Sequence, residues 1–183
     1  MVESLVVGVA ASLVASFVWV VLLRLLRPKV DIATLACFDP SDDKLKIKVI
    51  NRSRRAIVHI HVEVATVMHV SAAGGLVGMR HVIPLFSPEP LAIEGYRKGN
   101  DDQNAYRFAV KIERKDLQDL IASNSSNLRF SVYCEDELSG LGRLFQHAFH
   151  DASEIVCGSY AKGQDFNVVL ATGDLIPTGP ANH

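Results

Sequence analysis

Residues 4–23 form an uncharged run of 20 residues between Glu3 and Arg24, and no other stretch constrains the chain as much. A helix rises about 1.5 Å per residue, so a run of this length covers about 30 Å, the thickness of a bilayer's hydrocarbon core. The run is predicted to be a single transmembrane helix, with Trp19 as its one strongly amphipathic side chain. A cleaved secretory signal needs a basic segment first, then a shorter apolar core and a small-residue cleavage site. Here Met1, Val2 and Glu3 precede the run, and the basic residues Arg24, Arg27 and Lys29 follow it. Short flanks rich in Lys and Arg stay on the cytoplasmic side. The N-terminus is therefore expected outside, and the chain after residue 29 in the cytoplasm beneath the inner (plasma) membrane.

Within the run, Gly8, Ser12 and Ser16 recur every four residues, with Ala11 and Ala15 on an adjacent stripe. Small side chains let membrane helices approach closely. This face is the candidate for helix self-association, and it makes a homo-oligomer the expected state. Pro28 closes the helix, because the residue before a proline is pushed out of the α region.

The chain after the helix is long enough for one domain with a proper core. Residues 30–183 carry 16 basic and 19 acidic side chains, a net charge of −3, so no general attraction to nucleic acid is expected. Cys37, Cys134 and Cys157 are an odd number without a CxxC pair, which is neither a disulfide framework nor a zinc pattern. That usage agrees with a reducing cytoplasm.

Period-two alternation dominates the soluble part and predicts strands. A first strand is expected over residues 30–38. In residues 44–51, Leu45, Ile47 and Val49 alternate with Lys44, Lys46 and Lys48, so one face is assigned to a core and three lysines to water. Residues 56–70 place Val58, Ile60, Val62, Val64 and Met68 on one face and His59, His61, Glu63 and His69 on the other, as a hairpin partner of the preceding strand. Further strands are predicted over residues 76–86, which Pro84 marks as an edge or an end, and over residues 106–114, 128–134, 144–149, 154–157 and 165–170. Leu117, Leu120 and Ile121 have helical spacing and suggest a short surface helix over residues 115–123. Residues 171–183, with Pro177 and Pro180, read as a disordered tail. Many short strands with little helix imply a mainly β fold, an antiparallel β-sandwich over residues 30–170 behind a helical segment over residues 1–29.

The runs LKIKVINRSRRAIVHIHVEVATV, GMRHVIPL, YRFAVKIERKDLQDL and LRFSVYCEDELSGLGRLFQHAFHDASEIVCGSYAKG resemble, in order, the cytoplasmic domain of inward-rectifier potassium channels. The matching elements are Asn51 and Arg52 at a strand end, the long strand of residues 56–70, the strand of residues 128–134, and Glu154, Ile155 and Gly158. The resemblance implies an immunoglobulin-like sandwich that assembles as an oligomer under the membrane and responds to ligands. Potassium selection in that family rests on filter carbonyls. These 183 residues hold no Thr-x-Gly-Tyr-Gly filter, pore helix or second span, so potassium conduction of that design is not expected.

Nine of the 19 basic residues lie before position 56: Arg24, Arg27, Lys29, Lys44, Lys46, Lys48, Arg52, Arg54 and Arg55. Basic residues next to a membrane attract anionic lipid at about 1 kcal/mol each. Arg24, Arg27 and Lys29 are the candidate lipid-binding residues, and the resemblance places lipid-binding charge at the same junction. His59, His61 and Glu63 share a strand face, but side chains two apart stand about 7 Å apart, too wide for joint metal ligation without help from another strand. A polar outer face or a subunit interface is the expected role. Cys134 with His147 or His150, and Ser153 with His150 and Asp151, are residue types capable of nucleophilic chemistry. No nucleophile elbow, phosphate loop or paired carboxylates accompany them, so no enzyme, cofactor or metal is expected. Cys134 is instead expected as a buried thiol.

The sequence thus describes a single-pass membrane protein whose cytoplasmic domain senses or scaffolds, binding membrane lipids and a protein or small-molecule ligand or its own copies. An oligomeric pore-forming or membrane-perturbing effector, built on the Gly8, Ser12 and Ser16 stripe and regulated by the β-sandwich, is the alternative.

Overall fold

The computed structural model describes residues 2–39, 41–97, 103–112 and 126–181. One helix, α1 (Val2–Leu25), leads the chain. It is followed by β1 (Val30–Ile32), β2 (Ala36–Asp39), β3 (Lys44–Asn51), β4 (Ile57–Ala72), β5 (Gly75–Ile83) and β6 (Ala92–Ile93). Then come β7 (Ala105–Lys111), β8 (Ser126–Asp136), β9 (Gly142–Phe149), β10 (Ile155–Tyr160), β11 (Val168–Leu170) and β12 (Leu175–Ile176). The expected surface helix over residues 115–123 lies outside the described residues.

The fold is mainly β, in two sheets. One has seven strands in the order β1-β3-β2-β10-β11-β12, with β7 on the other edge of β3; the second has five in the order β5-β4-β8-β9, with β6 beside β4. The sheets share one apolar cluster: Ile32, Phe38, Leu45, Ile47, Val49 and Phe108 from the first, and Ile57, Val64, Leu128, Phe130, Val132, Cys134 and Phe149 from the second. Burial pushes the Cys134 thiol up to about 12, so it stays protonated and inert.

Several strand assignments change in their partners. The expected first strand is two, β1 and β2, both paired with β3, because its residues outnumber those of β3 facing them and the excess bends out at residues 33–35. β4 is not the hairpin partner of β3. It crosses to the second sheet, and the free edge of β3 is taken by β7 in an antiparallel register from Lys44↔Lys111 to Ile50↔Ala105. The β2–β10 pair is parallel, so the architecture is not wholly antiparallel.

In β4 the register shifts between Val58 and His61 against β8, with His59 at φ 48°, in the left-handed region. This bulge resets the alternation. Ile57, fully buried, takes the inward place that strict period two assigns to Val58.

The lysine face of β3 is only partly open to water: Lys44 and Lys46 stay near the surface, whereas Lys48 is buried. A second cluster of Ala33, Cys37, Ile50, Tyr160, Phe166 and Val168 forms at the Ile50 end of this face. The chain that follows β10 folds back over this face: Phe166 packs there, β12 pairs with β11, and Ala181 donates its N–H to the Ile32 carbonyl at 2.9 Å. Residues 171–181, which composition reads as unstructured, are therefore seated, because backbone pairing recruits residues whose side chains carry no strand signal.

Lys48 is 0% exposed. Its Nζ donates to the carbonyls of Ala161 at 3.2 Å and Gly163 at 2.8 Å. Lys46 pairs with Asp39 at 2.7 Å and Asp42 at 3.2 Å near the surface. Removing the donor of a buried hydrogen bond costs about 1–3 kcal/mol, whereas surface ion pairs contribute about 0–1 kcal/mol. Lys48→Met is expected to lower urea-unfolding stability by about 1–3 kcal/mol and Lys46→Met by about 1 kcal/mol or less.

The bonds from the Lys46 ammonium and from Ser41 hold the Asp39 carboxyl at about 2, against an ordinary 3.8. A folded-state value below the unfolded one stabilises above the unfolded value and fades as pH falls through the folded one. Stability should therefore fall between pH 3.8 and about 2, and Asp39→Asn should flatten that part of an unfolding-versus-pH curve.

Candidate functional site

A concave surface lined by basic residues forms where α1 meets the domain, and Asn51 organises it. Asn51 is 0% exposed at the end of β3. Its Nδ2 donates to the carbonyls of Arg55 at 2.8 Å, Glu94 at 2.9 Å and Ile93 at 3.2 Å, and its Oδ1 accepts from the Ser53 N–H at 2.8 Å. An amide has both donors and an acceptor, so one side chain can close the turn of residues 52–55 and tie it to β6. Gly95 sits against this turn, where a Cβ would lie 2.4 Å from the Arg54 carbonyl oxygen.

The helix end is bonded to the same turn. Leu26 N–H still donates to the Leu22 carbonyl at 3.1 Å, and Pro28 then breaks the repeat. The Lys29 N–H donates to Ser53 Oγ at 2.8 Å, and the Arg52 N–H donates to the Lys29 carbonyl at 2.8 Å. From the β8–β9 turn, Ser139 Oγ lies 3.3 Å from the Leu26 carbonyl as its donor. The apolar helix and the sheets are joined by hydrogen bonds rather than by a loose linker.

Between them lies a cleft of about 480 Å³ lined by Leu25, Lys29, Arg52, Ser53, Arg54 and Arg55. Arg52 pairs with Asp31 at 2.8 Å and Arg55 with Asp136 at 2.9 Å. Among the described residues, Lys29 and Arg54 have no acidic partner within ion-pair distance. The cleft therefore carries uncompensated positive charge at the foot of an apolar helix. Of the three lipid-binding candidates, Lys29 lines the cleft, while Arg24 and Arg27 are exposed on the helix end outside its lining.

Asp136 supports the cleft from behind. Its side chain is 0% exposed; Oδ2 accepts from Arg55 Nε at 2.9 Å, and Oδ1 from Ser139 N–H at 2.9 Å and Leu138 N–H at 3.1 Å. Burial works to raise its pKa, but the Ser139 N–H and Arg55 outweigh burial and hold the carboxyl below its ordinary value. Asp136 and Ser139 are the junction residues that sequence reasoning misses. Asn51 stood out as a strand-end residue, whereas Asp136 lies inside the polar string Glu135, Asp136, Glu137, where nothing marks one carboxylate as buried.

His59, His61 and Glu63 do not converge. His59 Nδ1 donates to Glu135 at 2.9 Å, His61 Nδ1 lies 3.3 Å from Glu89, and Glu63 pairs with Arg80 at 2.5 Å. In the open cleft beside them, lined by His61, Glu63, Arg80, Glu89, Tyr133 and Gln146 among others, Glu63 and Arg80 are paired with each other. Among the described residues, no three His, Cys, Asp or Glu side chains are grouped to hold one metal ion. Gly8, Ser12 and Ser16 are exposed along α1, and a Cβ on Gly8 would meet nothing within 4 Å.

No protein-family model matches the chain, and no curated protein matches it.

The two classes of cation should separate by stability. Breaking a buried ion pair strands a carboxylate, and Arg55→Ala should cost on the order of 2 kcal/mol or more in urea unfolding. Arg54→Ala, a surface change, should stay within about 0.5 kcal/mol.

Proposed function

We propose that the chain is a single-pass membrane protein with its N-terminus outside and an immunoglobulin-like β-sandwich in the cytoplasm. It senses or scaffolds at the inner face of the plasma membrane by binding anionic lipid headgroups in the junction cleft. The observation that carries this reading is the pair Lys29 and Arg54, cations without acidic partners among the described residues, in a cleft against the last turn of the helix. Residues 7–25 of that helix have a mean hydropathy of 2.1 and bury nothing against the domain, which suits a lipid environment. Arg24 and Arg27 add charge at the membrane surface, each contributing about 1 kcal/mol of attraction. In this reading the β domain presents itself to a partner, a ligand or its own copies, and it performs no catalysis.

The pore-forming alternative draws on Gly8, whose small size answers no contact within the chain. Small residues without an internal reason fit a helix–helix face.

The test uses the full chain in neutral detergent, titrated with short-chain phosphatidic acid and with short-chain phosphatidylcholine by thermophoresis. Phosphatidic acid should bind, and Lys29→Gln and Arg54→Gln should each weaken it about fivefold. Equal response to both lipids, or no effect of either substitution, would overturn the cleft reading. Dye release from vesicles holding the chain would favour the pore.

A further inference from the structure

The junction holds one proton with two claimants. Ser139 Oγ lies 3.3 Å from the Leu26 carbonyl oxygen and 3.1 Å from Asp136 Oδ1, and it accepts from the Leu141 N–H at 3.3 Å. A serine hydroxyl has a single O–H to give. It can go to the neutral carbonyl at the end of α1 or to the buried carboxylate.

Which acceptor wins depends on how well Asp136 is otherwise compensated, since hydrogen bonds to charged acceptors are roughly twice as strong as neutral ones. Among the described residues its cation is Arg55, bound through Nε alone. Arg55 also lines the basic cleft, and a guanidinium has four further N–H donors to offer. An anion seated in the cleft draws on the same guanidinium that neutralises Asp136.

We propose that Asp136 and Ser139 form a switch between the cleft and the membrane helix. With the cleft empty, Arg55 neutralises Asp136 and the Ser139 hydroxyl is shared between Asp136 Oδ1 at 3.1 Å and the Leu26 carbonyl at 3.3 Å. With an anion in the cleft, Arg55 is shared, Asp136 takes the hydroxyl proton, and the end of α1 loses its bond to the β8–β9 turn. Lipid binding is thereby converted into a looser joint between helix and domain, a regulation of the cleft that rests on the function proposed above. Asp136 and Ser139 are positioning residues here, since neither lines the cleft.

Amide hydrogen exchange of the full chain in neutral detergent, with and without short-chain phosphatidic acid, tests this. Exchange over residues 22–29 should rise at least about fivefold on lipid addition, the lower end of ordinary coupling. In Ser139→Ala the same residues should exchange fast without lipid and gain nothing from it. Asp136→Asn, which lacks the competing charge, should exchange slowly and not respond. Exchange that stays level or slows in the wild type while phosphatidic acid still binds by thermophoresis would overturn the switch and leave the cleft reading standing. A Ser139→Ala variant that responds like the wild type would do the same. If phosphatidic acid does not bind the wild type at all, the cleft reading fails and the switch fails with it.

Discussion

The buried amide of Asn51 is the interaction on which the architecture depends. A strand that leaves one sheet and enters another must turn its backbone through a region where carbonyls face inward, and each unpaired carbonyl there is costly. The two N–H donors of Asn51 are shared among three of them, and its Oδ1 accepts from the Ser53 N–H as well. The turn it closes points Arg52, Arg54 and Arg55 at the foot of the helix. Without that closure the sheets could still form, but their basic residues would have no fixed relation to the apolar helix.

Charge in this protein sorts by burial. Lys48, Arg55 and Asp136 are parts of the scaffold, because a charged group removed from water must be bonded or the fold pays several kcal/mol. Lys29 and Arg54 stand outside this economy, exposed and without acidic partners among the described residues. Two cations with no structural duty at the end of an apolar helix are what a recognition surface for anions requires. The same division explains why the paired outer-face cleft, with Glu63 held by Arg80, is a poorer candidate despite its similar volume.

Much of the fold was legible from alternation. The strand of residues 44–51 has the bounds of β3, Pro84 falls just past the end of β5, and Cys134 lies in the core. Two of the readings that failed did so for physical reasons that no local pattern records. Period two says which residues share a face, but not whether that face meets water, so the lysines of β3 looked solvated until residues 160–181 covered Lys48. Strict alternation also carries no sign of an extra residue, so the bulge at His59 moved Val58 out of the core and Ile57 into it.

By itself, the sequence determined the apolar helix, the abundance of strands and the excess of basic residues at the junction, because each follows from composition and spacing along a single segment. Tertiary structure alone decided which basic residues are paired and which are free. Arg52, Arg54 and Arg55 are near-neighbours in the chain, yet Asp31 takes one, Asp136 another, and Arg54 is left for the cleft. Electrostatic compensation depends on distance in space, and those carboxylates come from strands up to 81 residues away.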